Sequence, residues 1–424
     1  MAFHRYGAGV VAALVVLSAC TTSVPPSGGA VDTTVPASSV WSPCGDIECA
    51  QVQVPVDYSR PDGETMSLAL YRRVSTKAPD AAPVILVPDY RWGDNAREVV
   101  ELAPSHLGSG WTAQTLISVS RRGSEASPMP AGNEHLVSTR DVARDLEFVR
   151  VFLELDALTA MGWGNGATAL AIVAITNPDS IARMVLDAPM HPLTSAEERT
   201  TTQIAADNAM VAEAMRWCVS HISCPLHANF AREFNLFRTN SRLGIVDSAV
   251  TTAVVARAAR NAFSVADPQS FFTGIAEATA GNSASILATA GGGSTAGEVQ
   301  IACADHSRAD TQIIAQQLAL NHADTSRFFG LGDDHLMYAQ CAGLPEAVQP
   351  LGGLAAQQDT DNVKALVIVA ENNPVVAAGM STALAEQFSW EIYAVPLWRH
   401  LLVGYDDAVT QRALDFLLNN KPNS

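Results

Sequence analysis

Short apolar runs alternate with amphipathic stretches through the first half of the chain and again near its end. Residues 83–89 (PVILVPD) and 115–120 (TLISVS) are apolar, β-branched and bounded by polar residues, as expected of parallel strands buried on both faces. Residues 52–61 and 67–74 flank Pro61-Asp62-Gly63 and predict two paired strands joined by a turn. Residues 139–153 place Val142, Leu146, Val149 and Leu153 on one helical face, with Arg and Asp opposite. A strand over 157–164 follows, then a turn, a helix to about Ile175 and a strand over 181–189. From 193 to about 355 the texture changes to Ala-rich helical patterns, broken by a flexible stretch at 289–297, TAGGGSTAG. Strands return at 363–373 and 390–396, and 406–418 predicts a closing helix. Strands alternating with helices predict an α/β fold with a mostly parallel sheet, and a helical block between two sheet strands predicts a cap over it. The expected organisation is a core from 41–192 and 361–424, with a mainly helical cap at 193–360.

The N-terminus breaks this texture. A weak basic start at His4 and Arg5 leads into an apolar segment, 7–19, of secretory-signal length. It ends in Leu17-Ser18-Ala19-Cys20, which resembles a bacterial lipobox, in which cleavage leaves the cysteine as a lipidated first residue. Residues 20–40, rich in Thr, Ser, Pro and Gly, then form a tether. The chain is thus expected to be exported and lipid-anchored at the outer face of the bacterial cytoplasmic membrane. Elsewhere no stretch reaches the roughly 18 apolar residues of a membrane span. A formal net charge of −17 over 424 residues argues against nucleic acid or an anionic bilayer as the main partner.

Setting Cys20 aside leaves six of the seven cysteines, an even number for an oxidising compartment. Spacing groups Cys44 with Cys49 and Cys218 with Cys224, which leaves Cys303 for Cys341. Zinc binding is the alternative, but no C-x-x-C pair occurs and the ten histidines do not group at ligand spacing. No cofactor is expected.

Residues 162–166 read GWGNG between the strand at 157–164 and the helix after it. Strand, sharp glycine turn and helix is the setting in which hydrolases mount a nucleophilic serine as Gly-x-Ser-x-Gly, and here the middle position is Gly164. The segments VPVDYSRPDGETMSLALYRR, TRDVARDLEFVR, IARMVLDAPMHP, WCVSHISCP, IACADH and CAGLP occur in this order between residue 54 and residue 345. Together they resemble the secreted actinobacterial tripeptidyl-aminopeptidase-like α/β hydrolases of the proline-iminopeptidase group, over nearly all of the chain from Cys44 onward. The resemblance implies an α/β-hydrolase fold and a Ser–His–acid triad, and the triad positions fall on Gly164, Asn373 and His400. Only the histidine is of the catalytic type. The glycine-rich oxyanion loop of that family corresponds to Pro88-Asp89-Tyr90-Arg91-Trp92-Gly93, and its supporting turn to Ser120-Arg121-Arg122-Gly123-Ser124.

These replacements all point toward loss of serine-type hydrolysis. A carboxylate in the oxyanion loop opposes the negative charge that develops there, and asparagine cannot stabilise an imidazolium as a carboxylate does. Ser118, Ser120, Ser124 and Ser127 read as structural or surface serines, and Glu371 as a substitute acid lacking an obvious nucleophile. The expected role is that of a pseudo-hydrolase that binds or scaffolds. Its pocket would take a small-molecule, peptide or acyl ligand, with Trp163, Tyr90 and Arg91 around the N–H of Asn165 at a helix N-terminus. Another envelope protein is the alternative partner. The competing reading of Gly162, Gly164 and Gly166 is steric: a strained turn suits glycine. The rival function is an active serine-type peptidase or esterase with a site rearranged around His400.

Overall fold

A nine-stranded sheet organises the computed structural model, which describes residues 40–79, 81–89, 95–292, 296–324, 338–354, 360 and 362–419. Cys20, the apolar N-terminal segment, Tyr90 and Arg91 lie outside the described residues. The strands are β1 (Ser42–Pro43), β2 (Glu48–Pro55), β3 (Thr65–Arg73), β4 (Val84–Val87), β5 (Leu116–Val119), β6 (Leu158–Trp163), β7 (Ile181–Asp187), β8 (Ala365–Ala370) and β9 (Glu391–Val395). Their order is β1-β2-β3-β5-β4-β6-β7-β8-β9. The first three and the β3–β5 pairing are antiparallel, and every pairing from β5 to β9 is parallel.

Three short helices, α1 (Ala96–Glu101), α2 (Ala103–His106) and α3 (Ser109–Thr112), join β4 to β5. The helix α4 (Thr139–Phe152) precedes β6, and α5 (Gly164–Thr176) follows it without a loop. Between β7 and β8 the chain is helical: α6 (Ala196–Ser220), α7 (Phe230–Arg242), α8 (Thr252–Ser264), α9 (Pro268–Thr279), α10 (Ala284–Ala290), α11 (Ala296–Asp305) and α12 (Arg308–Asp324). Then α13 (Ala378–Gln387) links β8 to β9, and α14 (Asp407–Leu417) closes the chain.

The period-2 pattern of the central strands explains the two cores. In β4, Ile85 and Val87 point into one apolar cluster while Val84 and Leu86 point into the other. The first cluster holds α4 and α5, the second α14. Because α5 is enclosed between α4 and the sheet, every residue from Gly164 to Ile175 is buried. That accounts for its uniformly apolar sequence. The inserted helices have a core of their own, in which Phe230, Phe234, Phe263, Phe271 and Phe272 pack ring against ring. Cys44–Cys49, Cys218–Cys224 and Cys303–Cys341 are disulfides, the pairing that spacing predicts, and they displace the zinc alternative.

Candidate active site

The C-terminal edge of the parallel strands gathers the residues singled out by the sequence, the edge at which open α/β sheets form their sites. Gly164 follows β6, Asn373 follows β8, His400 follows β9 and Asp89 follows β4. All four pack together, and Asp89, Asn373 and His400 are buried.

Gly164 is the sharp turn between β6 and α5, with φ +49°. A side chain there would strike a carboxylate, since an ideal Cβ would lie 2.5 Å from Asp89 Cγ. Gly166 has a different reason: its Cβ would stand 2.1 Å from the Val87 carbonyl oxygen, so a glycine is required for α5 to close against β4. Thus the elbow backbone persists, and the space of its missing side chain is filled from the facing loop. Asp89 Oδ1 accepts from the backbone N–H of Asn165 at 3.2 Å, and Oδ2 lies 3.2 Å from His400 Nε2. A carboxylate at the N-terminus of α5 is favourably placed against the helix dipole.

The hydrogen bonds around His400 determine where its protons are. Asn373 Oδ1 accepts from the N–H groups of Val375 and Val376, at 2.9 and 3.1 Å, while its Nδ2 donates to the His400 carbonyl. The amide orientation is therefore set, and Oδ1 faces His400 Nδ1 at 3.2 Å. His400 Nδ1 must be the donor in that pair. The contact of Nε2 with Asp89 Oδ2 then needs a proton of its own, because an imidazole lone pair and an ionised carboxylate repel. Either the imidazole is doubly protonated or the carboxyl carries the proton. In both cases the nitrogen that would act as general base is already occupied.

Asp187, at the end of β7, is a further acid of this site that sequence reasoning missed. Its Oδ2 accepts from the N–H groups of Leu402 and Val403, at 2.7 and 2.8 Å, which holds the loop that carries His400. Its pKa is raised to about 7: burial pushes it up and the Asp89 charge adds to this, against the two N–H groups and the Arg399 charge, which pull it down. The signal available in the sequence was an Asp ending an otherwise apolar strand, MVLDAP.

The remaining candidates fall into place around this centre. Glu371 is exposed, and the residue against His400 is Asn373. Ser120 and Ser124 share a hydrogen bond, and Ser127 Oγ accepts from the N–H of Ala69, so these serines build the supporting turn. Within that turn Arg122 is fully buried and donates to Asp145 and to the carbonyls of Pro55, Val56 and Leu136. The Asn165 side chain donates to Thr139 Oγ1, whose hydroxyl in turn donates to Asp305 of α11. The elbow is thereby wired to the inserted helices. Trp163 is buried, donates to the Val403 carbonyl and, with Asp89, Leu107, Leu401 and Tyr405, lines a cavity of about 230 Å³. Arg399 lies over the ring of Tyr405.

The chain matches the family model described as "alpha/beta hydrolase fold" over residues 92–404. It is 24% identical over 256 residues to serine protease Hip1 of Mycobacterium tuberculosis and of Mycobacterium bovis, matching 47% of this chain and 48% of theirs. It thus spans about half the length of these curated relatives. Among solved structures, proline iminopeptidase of Mycobacterium smegmatis is similar at 10% identity and a TM-score of 0.41, covering 87% of this chain and 98% of that one. Naproxen esterase of Bacillus subtilis is similar at 12% identity and a TM-score of 0.42, covering 90% and 94%.

Proposed function

Because the chain belongs to the α/β-hydrolase fold family, we propose that it is a pseudo-hydrolase of the cell envelope whose nucleophile position is plugged by Asp89. It is anchored through a lipid on Cys20, and it binds or scaffolds rather than cleaves. One observation carries the reading: the Asp89 carboxyl carbon stands 2.5 Å from where the first side-chain atom of an elbow nucleophile would be. Three functions of a serine hydrolase are affected at once. The nucleophile has no side chain, the Asn165 N–H that would face an oxyanion already serves a carboxylate, and His400 Nε2 is engaged. Loss of the serine alone costs about 10⁶-fold in a well-studied triad protease, and a carboxylate beside a developing oxyanion adds to that barrier.

Three disulfides suit an exported protein. Among the described residues no helix is long and apolar enough to cross a membrane. Replacement of Cys20 by Ser should move the protein from the membrane fraction to the soluble one.

The catalytic half of the proposal is tested by labelling with a serine-reactive fluorophosphonate and by chromogenic ester and aminopeptide substrates. The unmodified protein should neither label nor turn over. Gly164→Ser by itself should stay inactive, because the new side chain meets Asp89, whereas Asp89→Gly/Gly164→Ser/Asn373→Asp should gain labelling.

A second reading rests on the same carboxylate. In it Asp89 is the nucleophile: its carboxylate displaces a leaving group from an sp³ carbon of the substrate to give an alkyl ester. Water deprotonated by His400, whose Nε2 is released once Asp89 is esterified, then attacks the Asp89 carboxyl carbon and frees the alcohol. Substrate turnover in H₂¹⁸O would then leave ¹⁸O in the peptide containing Asp89. Its absence after many turnovers eliminates that reading.

A further inference from the structure

A second cavity lies away from Asp89, between α4, the C-terminal end of α5 and the turn that follows β2. Its volume is about 500 Å³, and it shares no lining residue with the cavity beside Trp163. Two cations sit on its wall, Arg140 and Arg144, one helical turn apart on α4. Side chains at that spacing are neighbours, and like charges there destabilise a helix. Nothing among the described residues forms an ion pair or hydrogen bond with Arg140. Partial burial and the Arg144 charge pull its pKa below the usual arginine value, against the opposing charge of Asp141. Arg144 has only a loose pairing with Asp141, at 3.6 Å, and stands over the Tyr58 ring. Asp141 is itself committed to the helix cap, accepting from the Ser138 hydroxyl at 2.7 Å. Glu147, farther along the wall, is engaged by Ser180 and Arg150.

A chain of net charge −17 thus keeps two incompletely neutralised guanidinium groups together at a partly enclosed groove. Apolar Phe148, Ile172 and Leu354 share the lining with polar Glu147, Thr176 and Asn177. Cations beside apolar side chains are complementary to a molecule with an anionic head and an apolar body.

We propose that this groove binds an anionic amphiphile, with a single carboxylate or phosphate head on Arg140 and Arg144 and an acyl body along Phe148, Ile172 and Leu354. Bidentate pairing of guanidinium with such heads supplies the polar half of the affinity, and burial of the chain supplies the apolar half. The site is independent of whether Asp89 blocks catalysis.

Isothermal titration of the purified protein tests it, using dodecanoate and dodecyl phosphate below their micelle concentrations. Inorganic phosphate, dodecyltrimethylammonium and phosphatidylglycerol vesicles are the comparison ligands. The expected result is saturable binding of one dodecanoate or dodecyl phosphate, with neither inorganic phosphate nor the cationic detergent binding comparably. Arg140→Gln/Arg144→Gln should weaken binding about tenfold or more, the size of one or two lost charge-assisted hydrogen bonds. The single variant Arg140→Gln removes no hydrogen bond or ion pair among the described residues, so it should fold normally and still weaken binding. Undiminished binding in both variants would overturn the proposal. Equal binding of dodecyltrimethylammonium, or of phosphate lacking a chain, would overturn it as well. Vesicle binding that depends on both arginines, together with no binding of the monomeric amphiphiles, would replace the groove ligand with a membrane surface.

Discussion

At the scale of single residues, the approach of Asp89 to the Gly164 position carries the proposal, and it makes a coupled prediction. Gly164→Ser forces a residue with a Cβ into a positive-φ position and against a carboxylate. Each of these costs on the order of 1–3 kcal/mol. In an Asp89→Gly background the steric part disappears, so a double-mutant cycle by urea unfolding should show a favourable coupling of about 1–2 kcal/mol. Additive costs would mean that the two side chains do not meet. The turn at Gly164 and the residues Asn373 and His400 were singled out in the sequence because they follow local motifs, and the structure brings them to one strand edge. The plug was not legible: Asp89 was readable as a charge in the oxyanion loop, but its filling of the Gly164 space joins two loops that no periodicity connects. Asp187 escaped for the same reason, since its partners are N–H groups beyond residue 400.

Asp187 also has a pH signature. Its folded-state pKa, about 7, lies above the ordinary 3.8, so the native state keeps a proton that the unfolded chain releases. Its contribution therefore favours folding at acid pH and is lost as pH rises from about 4 to about 7. Asp305, raised to about 6 by burial, acts in the same direction over a narrower window. Asp187→Asn keeps an acceptor for Leu402 and Val403 without the titration. Denaturation midpoints at pH 5 and pH 8 should differ less in this variant than in the parent. An unchanged difference would remove Asp187 from the account.

At the scale of elements, the strands and longer helices followed their patterns closely, because burial on one or two faces leaves a period in the sequence. The helices α1 to α3 did not. They are four to six residues long, and Pro104, Gly108 and Gly110 interrupt them, so no apolar stripe can repeat. The docking of α11 on α4 also had no local signal. Asp305 accepts from both the N–H and the hydroxyl of Thr139, at 2.6 Å each, and Asn165 donates to that same hydroxyl. Thr139→Val should cost about 2–3 kcal/mol, since it leaves a buried carboxylate and a buried amide each short of a partner. Hydrogen exchange should accelerate in α11 and at the start of α5. A change confined to α4 would show that the wiring carries no coupling.

At the scale of the whole molecule, an inserted helical block with its own phenylalanine core meets the hydrolase-type sheet through small apolar clusters and the Thr139–Asp305 pair, and disulfides brace the block itself. The Cys303–Cys341 bridge spans 38 residues, for which loop-closure entropy gives about 4 kcal/mol. Cys303→Ser/Cys341→Ser should therefore lower the unfolding free energy by about 2–5 kcal/mol, while His400 and its neighbours keep their arrangement. A loss below about 1 kcal/mol in urea would indicate that the reduced chain remains constrained by other contacts.

The claim on which these scales meet is that an occupied elbow and an engaged histidine leave no serine-type catalysis. Steady-state turnover of a p-nitrophenyl ester by the unmodified protein and by His400→Ala tests it most directly. The account predicts that both rates equal that of buffer with inert protein. Turnover by the unmodified protein that His400→Ala abolishes would contradict it, and would place a working nucleophile within reach of that imidazole.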